Sequence, residues 1–154
     1  MKELVNKLID KNKTISTMES ATGGAVVSAI TNVDGSSRVL KFSAITYSNE
    51  YKIKMGVKKE TIDKYSVYSI QVAKEMSFNI SKFSNSNYGV GITGKLNRVD
   101  ENNLFGDDST VFISIYDRDN DKYYNEIVKA IKTNRIDNKR LVIDKLEELM
   151  LKII

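Results

Sequence analysis

The sequence predicts an α/β protein, a three-layer α/β/α sandwich built on a mixed, mostly parallel sheet of about five strands. Strand-like and helix-like patterns alternate along most of the chain, which is typical of a parallel sheet covered by helices. Near the end, β-prone runs at 110–116 and 123–129 flank D-R-D-N-D-K and predict a hairpin. This hairpin makes the sheet mixed.

The first half of the chain predicts a helix and then a strand, helix, strand unit. Apolar residues at positions 4, 5, 8 and 9 lie on one face of a helix within residues 1–12. A β-prone strand at 14–18, a glycine turn, a helix at 25–33 and a strand at 39–47 follow. Because the second strand, V-L-K-F-S-A-I-T-Y, is mostly apolar, we expect it to be covered on both faces.

The second half begins with helical patterns from Asn49, which lead to a longer helix at about 69–82. A third strand at 88–93, Y-G-V-G-I-T, contains two glycines, which indicate close approach of a helix or a ligand to its backbone. A polar loop then extends from Gly94 to about Asp108, and a final helix is predicted at 134–153.

The composition limits the chemistry. A chain of 154 residues suits a single domain, 1–154. Histidine and cysteine are both absent, which excludes disulfides, thiol nucleophiles and the usual zinc-ligand sets, so we expect no metal site. Catalysis must then use serine, threonine, tyrosine, lysine or carboxylates.

Charge and hydropathy give expectations about partners and location. The formal net charge is +4, with 24 basic and 20 acidic residues spread along the chain. Such a spread gives only weak support for a nucleic-acid partner, and we expect none. No run of about 18 apolar residues and no signal-peptide pattern is present, so we expect no membrane partner and a cytoplasmic location.

The turn E-S-A-T-G-G, Glu19 to Gly24, connects the first strand to the second helix. Parallel strands of one sheet end at the same edge, so Glu19-Ser20, Tyr47 and Thr93-Gly94 are expected to converge on one crevice. We expect the N–H groups of residues 21–24 to be free to hold an anion or an oxyanion. The alternative is that Ser20 or Thr22 only caps the helix.

Lys52 is the candidate base for a serine nucleophile. A short helix starting near Asn49 would carry Lys52 back over the same edge, to within reach of Ser20 on a strand about 5 Å away. A lysine serves as a base when burial lowers its pKa. Alternatively, Lys52 lies on a solvated helix face. Tyr47 would donate a hydrogen bond to the substrate or orient the lysine. Alternatively, Tyr47 belongs to the apolar core.

Five ordered motifs resemble the C-terminal domain of the competence/damage-inducible protein CinA, a domain also found alone as nicotinamide mononucleotide deamidase. They are E-S-A-T-G-G, N-V-D-G-S-S, I-T-Y-S-N-E-Y-K-I-K-M-G-V, V-Y-S-I-Q-V-A-K-E-M and V-G-I-T-G. The resemblance extends from about Thr14 to Gly94, with a weaker similarity in the hairpin and the last helix.

This resemblance implies an amidohydrolase that converts nicotinamide mononucleotide to nicotinic acid mononucleotide and ammonia without a metal or other cofactor. The family's serine and lysine match Ser20 and Lys52, and its motif tyrosine matches Tyr47. The ligand would be a small nucleotide, and self-association as a dimer is implied. Expected substrate-binding residues are Glu19, Ala21, Thr22, Gly23, Gly24, Thr93, Gly94 and Arg135.

The chain departs from the family pattern beside these residues. Ala21 stands where the family usually has cysteine, and K-L-N-R-V-D-E-N-N replaces a glycine-rich loop after Gly94. Arg135 remains from a G-D-R motif as a phosphate contact, or as a solvated surface charge. Three interpretations follow, in order of preference: an active deamidase with a rebuilt loop, a nucleotide-binding or assembly module without activity, and a basic nucleic-acid binder.

Overall fold

The structure, a computed structural model, describes residues 1–154 and confirms the predicted α/β/α sandwich. Its strands are β1 (Ile15–Glu19), β2 (Leu40–Ile45), β3 (Tyr88–Gly94), β4 (Thr110–Asp117) and β5 (Lys122–Lys129). Its helices are α1 (Lys2–Asp10), α2 (Ala25–Thr31), α3 (Asn49–Lys54), α4 (Lys59–Tyr65), α5 (Ile70–Ser84) and α6 (Arg135–Ile153). A 3₁₀ turn, Ser36–Arg38, precedes β2. None of these helices has both the length and the apolar character needed to cross a membrane.

The sheet has the strand order β2-β1-β3-β4-β5. Strand β1 pairs in parallel with β2 and with β3, whereas β4 pairs antiparallel with both of its neighbours. Only β4 therefore runs against the other strands. Because β1, β2 and β3 are parallel, their carboxyl ends at Glu19, Ile45 and Gly94 open at the same edge of the sheet, as the sequence predicts.

Helices cover the two faces of the sheet with separate apolar cores. Helices α1, α2 and α6 pack on one face over a cluster of 20 buried residues, which includes Ile15, Val90 and Leu146. On the opposite face α5 covers β1, β3 and β4, with a smaller core that includes Met18 and Met76. The three layers thus follow from strands whose alternate side chains enter different cores.

The glycines of β3 are explained by α5. A Cβ atom at Gly89 would lie 2.0 Å from the carbonyl oxygen of Ser77, and one at Gly91 would lie 2.2 Å from that of Ala73. The close neighbour predicted from Y-G-V-G-I-T is therefore a helix, and α5 lies directly against the strand backbone.

The expectation that β2 is covered on both faces is wrong. Strand β2 is the edge of the sheet, and its residues are half-buried or exposed. Phe42 is 38% exposed and Ile45 is 55% exposed. An apolar strand sequence does not reveal where the strand lies in the sheet, and this chain places β3, not β2, at the centre.

Candidate active site

Ser20 and Lys52 meet at the carboxyl edge of the sheet. Ser20 follows β1, and its backbone N–H donates to the carbonyl oxygen of Ile92 in β3 at 3.0 Å. Lys52 lies on α3, whose first turn is capped by the hydroxyl of Ser48, which accepts from Tyr51 N–H. The Lys52 Nζ atom lies 2.9 Å from Ser20 Oγ. Thus α3 carries the lysine back over the edge to the serine, the geometry expected from the sequence.

Lys52 is buried, and its burial changes its acid–base behaviour. The side chain is 1% exposed, and its Nζ atom also donates to the carbonyl oxygen of Thr46 at 2.8 Å. Desolvation lowers the pKa of Lys52 to about 8, against a smaller opposing effect from the negative charge of Asp100. A lysine in this state supplies a neutral amine near physiological pH, which a solvated lysine does not.

Glu19 has a different role from the one that the sequence suggested. Its carboxylate is completely buried and accepts from the N–H groups of Gly24, Val26 and Val27 at 3.0, 3.1 and 2.8 Å, and from the Thr22 hydroxyl at 2.7 Å. These bonds satisfy the first turn of α2, so Glu19 rather than Ser20 or Thr22 caps this helix. Neither Glu19 nor Thr22 is available for direct contact with a substrate.

The turn leaves two N–H groups free rather than the four expected. Gly23 N–H donates to the carbonyl oxygen of Ser20 at 2.9 Å, and Gly24 N–H donates to Glu19. The N–H groups of Ala21 and Thr22 have no acceptor within the chain. A free N–H on the residue that follows a nucleophile is the donor that an oxyanion site requires.

Three more predicted residues support the turn or the strand without lining the cavity. Gly23 and Gly24 adopt positive φ values of 58° and 94°, which explains the glycines by backbone conformation rather than by ligand approach. A Cβ atom at Gly24 would lie 3.0 Å from a methyl carbon of Ile45. Thr93 is buried, and its hydroxyl donates to the carbonyl oxygen of Val67 at 2.9 Å. Thr93 therefore fixes the segment before α5.

A cavity of about 450 Å³ opens beside Ser20, a size within the usual range of roughly 300–1,000 Å³ for small-ligand sites. Of the residues predicted from the sequence, Ser20, Ala21, Tyr47, Gly94 and Arg135 line it. Lys52 lies behind Ser20 and does not line the cavity. This position suits a base that takes its proton from the Ser20 hydroxyl.

Tyr47 and Arg135 form the outer rim of the cavity. Tyr47 is 65% exposed, and an Arg135 guanidinium nitrogen lies 3.5 Å from its hydroxyl oxygen. Tyr47 makes no hydrogen bond to Lys52, whose Nζ atom donates to Ser20 and to the Thr46 carbonyl oxygen. Tyr47 is therefore placed to contact a ligand and does not orient the lysine. Arg135 begins α6 and is exposed at the same rim.

The rebuilt loop after Gly94 forms the opposite wall, and the sequence did not reveal its individual residues. Arg98, Asp100 and Asn103 line the cavity with Tyr68, which precedes α5. The loop is fixed at its base, because Lys95 Nζ donates to Asp108 at 2.9 Å and Arg98 N–H donates to the Asp108 carbonyl oxygen at 3.2 Å. One feature of the sequence did indicate that this loop borders the site: it follows the carboxyl end of β3. Parallel sheets bind ligands at the carboxyl ends of their strands.

Comparison with known families gives one result that spans nearly the whole chain. The model of the CinA C-terminal domain family matches residues 1–150. A competence-damage inducible protein of Clostridium kluyveri is 47% identical over 96 residues, which is 61% of this chain and 23% of that protein. A CinA-like protein of Flavobacterium psychrophilum is 43% identical over 111 residues, 70% of this chain and 26% of that protein. The chain thus matches about a quarter of the length of these curated relatives.

Solved structures share the fold at low sequence identity. A CinA superfamily protein from Escherichia coli superposes with a TM-score of 0.86 at 20% identity, covering 99% of this chain and 87% of that chain. A competence/damage-inducible protein from Agrobacterium tumefaciens gives a TM-score of 0.80 at 24% identity, covering 99% and 92% of the two chains. In both comparisons the similarity extends over most of each chain, and it is a similarity of fold.

Proposed function

The chain belongs to the CinA C-terminal domain family, and on this premise we propose that it is an amidohydrolase that converts nicotinamide mononucleotide to nicotinic acid mononucleotide and ammonia. One observation carries the proposal. The Nζ atom of a buried lysine with a lowered pKa, Lys52, lies 2.9 Å from the hydroxyl oxygen of Ser20. A serine paired with a neutral amine is an activated nucleophile, and this one opens onto a cavity of ligand size.

In the first half of the proposed reaction the amide is replaced by an ester. Neutral Lys52 takes the proton of the Ser20 hydroxyl while Oγ attacks the carboxamide carbon of the substrate. The free N–H group of Ala21, which lines the cavity beside Ser20, would donate to the oxyanion of the tetrahedral intermediate. When this intermediate collapses, the C–N bond breaks, and the Lys52 ammonium gives its proton to the departing nitrogen, which leaves as ammonia.

In the second half water cleaves the ester. Lys52, neutral again, takes a proton from the water molecule that attacks the acyl carbon, and the Ser20 oxygen leaves and recovers that proton from the lysine. The product is nicotinic acid mononucleotide, and one water is consumed for each ammonia released. No metal or cofactor takes part in the proposed steps.

The cavity also supports a nucleotide as the ligand. Arg98 and Arg135 line it and are exposed, so their guanidinium groups are available to a phosphate. Tyr47 and Tyr68 add aromatic walls of the kind that surround a flat ring. The carboxamide would lie at Ser20, and the phosphate would lie toward the rim formed by the arginines.

The test is ammonia release from nicotinamide mononucleotide by the purified protein. We expect release by the wild type and loss of at least about 10³-fold in Ser20→Ala. Ser28→Ala is the matched control, because Ser28 is an exposed serine on α2. Equal activity in the wild type and in Ser20→Ala, or no release by a folded wild type, would contradict the proposal.

A second candidate function is a nucleotide-binding module without turnover. The observation that favours it is the charged loop, which puts Arg98 and Asp100 into a wall that the family usually builds from glycine. Binding without catalysis predicts that nicotinamide mononucleotide raises the melting temperature equally in the wild type and in Ser20→Ala. It also predicts no ammonia from either protein, so one pair of samples separates the two functions.

We also propose that the chain forms a homodimer. Strand β2 lies at an open edge of the sheet, and Phe42 on this strand packs against Phe83 of α5 with ring centroids 5.1 Å apart. Phe83 is 67% exposed, so the edge carries an apolar surface of the kind that edge strands bury on association. Light scattering during gel filtration tests this, and a monomer at about 100 μM, well above usual dimer Kd values, contradicts it.

A further inference from the structure

Asp100 is fixed in the cavity wall by neutral hydrogen-bond donors. Its Oδ2 atom accepts from the Tyr68 hydroxyl and from Asn103 Nδ2, the latter at 3.0 Å. Its Oδ1 atom accepts from the N–H group of Asn102, also at 3.0 Å. Asn103 is itself held by Asn49 of α3, whose Nδ2 donates to the Asn103 side-chain oxygen at 3.1 Å. The carboxylate therefore has one orientation at the cavity.

No basic side chain forms an ion pair with this carboxylate, although the charges of Lys95 and Lys52 act on it from a greater distance. The ion pairs of the chain do not include Asp100. Lys95, which lies over the ring of Tyr68 with its Nζ atom 5.3 Å from the ring centroid, is paired with Asp108 at 2.9 Å instead. Three neutral donors stabilise a carboxylate without removing its charge. A half-buried, unpaired anion in a ligand cavity is complementary to a cationic ligand group.

The same cavity also has cationic groups. Arg98 and Arg135 line it, and neither is part of an ion pair. A ligand that fills this cavity therefore meets one fixed negative charge and two exposed positive charges without a carboxylate partner. The complementary ligand carries a positive group and an anionic group, as a pyridinium nucleotide does.

We infer that Asp100 makes this site select carboxamides on a positively charged ring, quaternary pyridinium amides with an anionic phosphate, over amides on a neutral ring. This inference rests on the proposed function, because the ring is placed by the attack of Ser20 on its carboxamide. Asp100 and Ser20 line the same cavity. The charge of Asp100 also acts on Lys52 behind Ser20, so a ring held at Ser20 lies within range of that charge.

The test compares nicotinamide mononucleotide with its reduced form. The two molecules share the carboxamide, the ribose and the phosphate, but the ring is cationic in one and neutral in the other. In the Ser20→Ala background, titration calorimetry is expected to show that the oxidised form binds about tenfold more tightly, as for one charge pair in a partly desolvated site. Asp100→Asn in that background is expected to remove this preference.

Glu101→Gln is the matched control. It removes one negative charge from the next position of the same loop, but Glu101 is exposed and does not line the cavity. The preference for the cationic ring should survive this change. If both Asp100→Asn and Glu101→Gln lose the preference, the preference arises from the overall negative charge of the loop. That result would overturn the role of Asp100.

Two further outcomes keep this inference separate from the proposed function. Tight binding of the oxidised form with an Asp100-dependent preference, but no ammonia from the wild type, would refute the amidohydrolase and leave the specificity of the cavity standing. Ammonia release by the wild type together with equal affinity for the two forms would support the amidohydrolase and refute the selectivity of the cavity for a cationic ring. If Asp100→Asn does not fold, equal affinity of the Ser20→Ala protein for the two forms is sufficient to overturn the inference.

Discussion

Replacement of Lys52 by methionine is expected to stabilise the folded protein at pH 7 and to remove the proposed base. The pKa of Lys52 falls from its ordinary 10.5 to about 8 because of burial, and each unit corresponds to about 1.4 kcal/mol, so holding the protonated amine in this site costs about 3 kcal/mol. Methionine fills a similar volume without charge. It gives up the hydrogen bonds to Ser20 and Thr46, worth about 1–2 kcal/mol together, so the net gain is about 1–2 kcal/mol.

The pH dependence of this gain in stability tests the lowered pKa of Lys52 more directly than the gain at pH 7 does. Below about pH 8 the lysine is protonated in both the folded and the unfolded states, and the full penalty of burial is present. Between about pH 8 and 10.5 the folded state has lost the proton and the unfolded state keeps it, so the stability of the wild type rises with pH. From pH 7 to pH 9.5 the advantage of Lys52→Met should therefore shrink by about 2 kcal/mol.

Urea unfolding of both proteins at pH 7, 8 and 9.5 measures this difference, since other titrating groups contribute equally to the two and cancel. Lys54→Met is the control, because Lys54 lies two residues further on α3, is exposed, and pairs with Glu50 at the surface. A stability difference between the wild type and Lys52→Met that is constant over this pH range would refute the lowered pKa and, with it, the physical basis for Lys52 as a base.

Three further outcomes are expected. The kcat/KM for ammonia release should rise about tenfold from pH 7 to pH 9, because the neutral fraction of a Lys52 with a pKa near 8 rises by that factor; a flat profile would contradict this. Glu19→Gln should lower the free energy of unfolding in urea by about 2 kcal/mol, since a buried cap of α2 loses its charge, whereas the exposed Glu60→Gln should change it by less than about 0.5 kcal/mol. Gly91→Ala should cost more than about 3 kcal/mol by thermal unfolding, because its Cβ would lie 2.2 Å from the Ala73 carbonyl oxygen.

The position of the Ser20 and Lys52 pair was predictable because it depends on local signals and one topological rule. A glycine-containing turn between a strand and a helix fixes the end of β1, and the right-handed crossover fixes where β2 ends relative to it. Helix α3 then begins with Ser48 as its cap, a signal visible in the sequence. These three features predict that Lys52 lies over Ser20, and none of them requires knowledge of a long-range contact.

The role of Glu19 and the exposure of β2 could not be derived in the same way. An acidic residue before a helix is compatible with a ligand contact and with a cap, and only the direction of β1 relative to α2 decides between them. The completely buried carboxylate, which accepts four hydrogen bonds from the α2 turn, decides for the cap. Strand β2 became an edge because β3 and the hairpin pair on the other side of β1, a choice that no single strand sequence encodes.

The site is therefore built from two parts that depend on different interactions. Ser20 and Lys52 are held by the sheet, by the Glu19 cap of α2 and by the carbonyl group of Thr46. The wall that contains Asp100 is held by contacts within the loop and to Tyr68, by one hydrogen bond from Asn49 of α3 to Asn103, and by the Lys95–Asp108 pair at its base. Because few of these contacts are shared, substitutions in the loop can change which ring the cavity accepts and leave the serine–lysine distance unchanged. A loop variant that alters ligand preference but keeps Asp100, whose charge raises the pKa of Lys52, should therefore keep the pH dependence set by Lys52.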